Sequence, residues 1–177
     1  MNRAGRLFFA TLILVTFSSL ILAYPLEPAR AGRYFNSNRE FKRAGSQMEV
    51  ESMKSRWGDA GTSVARQNLA FDWFFIVIYT TMWISAAIYF GTRYPSLRLL
   101  AALVALVGVA GAVFDVIEDI CLWKMLYGKP SDAVAERCAT VVCYNVGLFM
   151  IAGVSLIALA VLARKEKRPA ARLAVSG

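Results

Sequence analysis

Four stretches of the chain are almost continuously apolar: residues 7–23, 70–90, 99–123 and 139–163. A long polar segment, 24–69, separates the first two, and short polar segments separate the rest. Crossing the hydrocarbon of a bilayer takes about 20 helical residues. The last three stretches, of 21, 25 and 25 residues, meet that length. The first, of 17, is at its short end, with Arg6 placed to snorkel and Tyr24 at headgroup depth. None of them alternates as barrel strands do, and helices are the other way to satisfy the backbone in lipid. The pattern predicts an all-α integral membrane protein. It is expected to form a four-helix transmembrane bundle in one domain over 1–177, with a short amphipathic helix in the first loop.

That loop helix is expected near 46–57. Ser37…Glu40 and Ser46…Glu49 both have the capping-box spacing. Val50, Met53 and Trp57 fall at i, i+3 and i+7, on one helical face, and Gly58 is a natural stop. This face is read either as that of a short surface helix lying at the interface or on the bundle top, or, since the loop has 46 residues without a domain of its own, as an interface for a partner. The first apolar stretch also has the form of a signal peptide, preceded by Arg3 and Arg6 and followed by Ala29-Arg30-Ala31. That small-x-small site lies far beyond the apolar run, and the run exceeds the usual signal core, so an uncleaved anchor is expected.

Composition sharpens this picture. Hydrophobic residues make up 58% of the chain and charged residues 18%. Histidine is absent altogether. Haem held by histidine, zinc sites built on imidazole and Ser–His–Asp triads are thereby excluded. No Cys-x-x-Cys pair, phosphate-binding glycine loop or dinucleotide fingerprint occurs. The cofactor is unknown on these grounds. The net charge of +8 concentrates after the last span, where Arg164, Lys165, Lys167, Arg168 and Arg172 fall within nine residues. Such a tail suits anionic lipid headgroups, and no soluble basic fold is present to bind nucleic acid. The same density places both termini in the cytoplasm, in a plasma or inner membrane.

The chemistry concentrates at the end of the third span. Asp115, Glu118 and Asp119 lie at i, i+3 and i+4, on one helical face. Asp115 is about 12 Å below Trp123 at the rise of a helix. An ionised carboxylate at that depth is costly unless paired, solvated or protonated. Ala101, Ala105, Gly108 and Ala112 form a stripe of small residues that Asp115 and Asp119 continue, so the carboxylates should face a neighbouring helix. Asp72, Tyr144 and Asn145 are expected at the same depth, with Tyr79 near them and Arg66, Lys124 and Arg137 as the nearby cations. Carboxylates without imidazole suit hydrogen bonds, a shared proton, or a hard cation; the metal, if any, is unknown. Cys121 and Cys138 flank a 16-residue connection, and a disulfide between them would brace this end by about 3 kcal/mol.

With no catalytic constellation, the expected function is a non-catalytic accessory or structural subunit of a larger membrane protein complex. It would contact other membrane subunits through its helices and first loop. The alternative is a small transporter, or a cation- or proton-binding protein, using Asp115, Glu118 and Asp119. A third reading is a membrane-embedded lipid- or quinone-related enzyme.

Overall fold

A computed structural model of the protein describes residues 3–23 and 40–175, with side chains over 3–18 and 40–165. The described residues are almost entirely helical and contain no strand. Helix α1 spans Arg3–Ala23, α2 Gln47–Arg93, α3 Arg98–Tyr127 and α4 Asp132–Val175. A helical turn at 40–42 precedes α2, and a 3-10 turn at Pro95–Leu97 separates α2 from α3. Three helical stretches, Gln47–Arg93, Pro95–Tyr127 and Asp132–Lys165, are long and apolar enough to cross a membrane. Helix α1 covers the first apolar stretch. Ser37 and the Ala29-Arg30-Ala31 site lie outside the described residues.

The start of α2 follows from its capping residues. Ser46 Oγ accepts the Glu49 N–H at 3.3 Å, and the Glu49 carboxylate accepts the Gly45 N–H at 2.8 Å. Asp132 adds a third acceptor, taking the Gln47 N–H at 2.7 Å, so the first turns of α2 and α4 are joined. The expected stop at Gly58 is a kink rather than an end. Gly58 has φ 62° and ψ −169°, and helix resumes at once and runs through the second apolar stretch. The helix that carries the second apolar stretch therefore begins well before residue 70, and polar residues 59–69 pack one face onto the bundle through Ala65 and Leu69. An added Cβ at Gly58 would meet nothing within 4 Å, so only the backbone opposes a side chain there. Gly58→Ala is expected to lower stability by about 2 kcal/mol, the scale of a glycine-only conformation, in thermal unfolding in mild detergent.

Helix α3 lies between α2 and α4, and α1 lies along α2. Phe8 of α1 packs on Tyr89 and Phe90, with ring centroids 6.1 and 5.9 Å apart. The buried apolar side chains form two clusters. One holds Tyr79, Trp83, Phe90, Val104 and Leu159 in the body of the bundle. The other holds Phe41, Val50, Trp57, Leu69, Met125 and Val142 at the end where the first loop lies.

The second cluster corrects one expectation. Val50 and Trp57 are 0% and 9% exposed, Met53 is half-buried, and the Phe41 ring lies 4.7 Å from Trp57. The amphipathic face is covered by the protein's own α3 and α4 and is not free for a partner. In the small-residue stripe, Ala101, Gly108 and Ala112 are buried, and Ala105 is half-buried. The Trp83 indole lies flat against Gly108.

Candidate functional site

Between the two clusters, all three long helices turn polar at one level. On α2, Asp72 falls between Leu69 of one cluster and Ile76 of the other. On α3, Asp115, Glu118 and Asp119 fall between Ala112 and Cys121, and on α4, Asn145 follows Val142. Local sequence accounts for the placement, because one face of each helix is apolar on both sides of the interruption. Asp115, Glu118, Asp119 and Asn145 are all buried, and Asp72 is half-buried.

The layer is tied together by three donors. Tyr79 Oη donates to Asp115 Oδ2 at 2.9 Å. Asn145 Nδ2 donates to Asp115 Oδ1 at 2.6 Å and to Glu118 Oε2 at 3.1 Å. Only this orientation of the amide gives two carboxylates a hydrogen; the flipped one would face them with an oxygen. Lys42 Nζ reaches in from the 40–42 turn and pairs with Glu118 Oε1 at 2.5 Å. Lys42 lies outside the long apolar helices. Burial works against its charge, but the nearby carboxylates, Glu118 foremost, outweigh it and hold the ammonium above the usual lysine range.

Asp119 is different. It is 0% exposed, and both its carboxyl oxygens lack a hydrogen-bond partner among the described residues. Asn145 Oδ1 is also buried without one. Asp72, Asp115 and Lys42 are within electrostatic reach of Asp119. Among the described residues, no group of three or more Asp, Glu or Cys side chains is arranged to hold a metal ion.

Of the residues expected at this level, the structure brings together Asp72, Tyr79, Asp115, Glu118, Asp119 and Asn145. Tyr144 is not among them: it is 60% exposed, with its ring 5.9 Å from Phe114. Neighbours on a helix point about 100° apart, so Tyr144 and Asn145 cannot both face the layer. The cysteines correct a second expectation. All three are free thiols; Cys121 and Cys138 are buried as small apolar side chains in the second cluster, and Cys143 is exposed.

The counter-ion was not legible beforehand. Of the three cations expected near the site, none makes the ion pair. Arg66 instead donates to the Leu126 carbonyl at 3.1 Å and lies 4.4 Å from the centre of the Tyr127 ring. Lys54 donates to the Met125 carbonyl at 3.1 Å. Both cations thus satisfy the C-terminal end of α3, where the helix dipole favours them. Lys42 is 76 residues from Glu118, and its one local signal is its place beside the apolar Phe41.

Compared with protein families, curated proteins and solved structures, the chain matches none of them.

Proposed function

We propose that this chain is a small integral membrane protein of the transporter class. It binds and exchanges a proton or a monovalent cation at the buried polar layer. One observation carries the reading: among the described residues, four carboxylates, Asp72, Asp115, Glu118 and Asp119, share the layer with a single ammonium, Lys42. A low-dielectric interior does not hold such an excess of negative charge without a further positive one. The hydrogen bonds of Tyr79 and Asn145 account for part of Asp115 and Glu118 but add no charge.

In this reading α1 joins the three long helices to make four spans, with both termini cytoplasmic in a plasma or inner membrane. The dense basic residues after the last span support that orientation. The layer then lies in the outer half of the bilayer, under the first loop.

The test is flux in proteoliposomes. Vesicles with the purified chain should dissipate an imposed proton, Na+ or K+ gradient faster than empty vesicles. Asp115→Asn should reduce the rate at least tenfold, about the effect of losing one essential ionisable group. Wild-type vesicles no faster than empty ones for all three ions would overturn the reading.

A second reading, a non-catalytic subunit of a larger membrane complex, draws on α4. Only 17% of the most apolar window of α4 is buried within the chain. Tyr144, Met150, Val154 and Ile157 all face outward. With the loop face covered internally, association would run through this helix surface. Native mass spectrometry from mild detergent should then find a second membrane protein, and a lone monomer would remove it.

A further inference from the structure

We propose that Asp119 is the seat of the exchangeable proton in the polar layer, and that Asp72 connects it to water. The inference rests on the proton-binding form of the reading above and names the residue and the ligand.

Three observations support it. First, Asp119 has no accessible surface, and neither of its oxygens receives a hydrogen bond from the described residues. A buried carboxylate in that state has lost its water and gained nothing in return. Second, among the described residues the unmatched atoms of the layer are all acceptors: the two oxygens of Asp119 and Oδ1 of Asn145. The layer therefore lacks hydrogens. A proton on Asp119 turns one acceptor into a donor at the place where donors are missing. Third, the one cation that the described residues bring to the layer is already bound. Lys42 is paired with Glu118, and Asn145 Nδ2 is shared between Asp115 and Glu118.

The occupant follows from the same geometry. A multivalent ion needs several converging ligands, and the described residues offer no such group. A proton needs no volume and no coordination shell, which suits a side chain with no free surface.

The titratable groups within electrostatic reach of Asp119 come from several elements. Its own helix contributes Asp115 and Glu118, and α2 contributes Asp72 and Tyr79. The 40–42 turn contributes Lys42, and α4 contributes Cys138. Asp72 lies within electrostatic reach of Asp119, and it is half-buried where Asp119 is fully buried. Its position gives the step. A hydronium ion protonates the Asp72 carboxylate and leaves as water, and the proton then passes to Asp119, leaving Asp72 ionised again. Each of the two transfers breaks one O–H bond and forms one, and no other group changes.

Infrared spectroscopy of the protein in lipid nanodiscs reads this directly. The wild type at neutral pH should show the carbonyl stretch of a protonated carboxyl, shifted in D2O, and Asp119→Asn should lose that band. Asp72→Asn should keep the band but slow its H/D shift at least tenfold. Absence of the band from the wild type would overturn the proposal, as would its persistence in Asp119→Asn. An unchanged exchange rate in Asp72→Asn would remove the Asp72 route. A band without flux defeats only the transport reading, and flux without a band defeats only this one.

Discussion

Lys42→Met should lower the stability of the folded protein by about 3 kcal/mol, the low end of the cost of breaking a buried ion pair by removing one partner. The low end applies because the Lys42 side chain is 24% exposed, while that of Glu118 is 3% exposed. Methionine keeps the stem and its apolar contacts, so the loss is that of the charge. Glu118 is left with the Asn145 amide as its only donor, in a layer that already holds three other carboxylates. The 40–42 turn is also loosened, because Lys42 sits beside Phe41, which is buried in the second cluster. Thermal or denaturant unfolding in mild detergent measures the change. Adding Glu118→Gln should recover at least half of it, since the orphaned charge is then gone, and the double-mutant cycle isolates the pair. A loss under about 0.5 kcal/mol, the scale of ordinary surface substitutions, would show that the pair is only a crossing of surface chains. The pH sign is defined as well. The Lys42 charge is held above the usual lysine range, so its contribution is complete below the range of a free lysine. It disappears only as pH climbs through the raised value.

Gly108→Ala should destabilise by about 2 kcal/mol, although alanine is the better helix former by up to about 1 kcal/mol. The added methyl would lie 2.4 Å from Trp83 Cγ and within 2.7 Å of Cδ1 and Cδ2. Those atoms belong to the root of a rigid ring that is itself buried in the main cluster, so it cannot swing aside as the tip of a lysine would. Relief requires α2 and α3 to separate, and that opens the layer above them. Gly111→Ala, one turn further along α3, is the internal control. Its methyl would meet Leu148 and Phe149 at 3.7–3.9 Å, an ordinary contact, so that variant should be neutral or slightly stabilised. Equal losses at both positions would contradict the packing of Trp83 on Gly108. Combining Gly108→Ala with Trp83→Leu should relieve the clash and reveal the cost of the lost indole alone.

Much of the site was legible along the chain, for a simple reason. Asp115, Glu118 and Asp119 share a helical face, and helical periodicity is a local property. The small-residue stripe pointed the same face at a neighbour, and α2 with Trp83 fills that place. Asn145 was identified by depth, but depth alone could not separate it from Tyr144, since rotation about α4 is decided by packing. The Cys121–Cys138 disulfide was inferred from compartment and spacing, whereas both thiols are buried as free apolar groups.

Sequence by itself determined the helical class, the position of the apolar stretches and the face on which the carboxylates lie. Each of these depends on residues within a few turns of one another. Tertiary structure alone decided which atoms meet across helices. It placed Lys42, not Arg66, on Glu118, and turned the Val50–Trp57 face inward rather than toward a partner. It also left Asp119 without a donor while giving Asp115 two. Those outcomes rest on contacts 27 to 76 residues apart in sequence. No local pattern encodes the distance between side chains that far apart, and that distance separates a hydrogen-bonded carboxylate from one left to bind a proton.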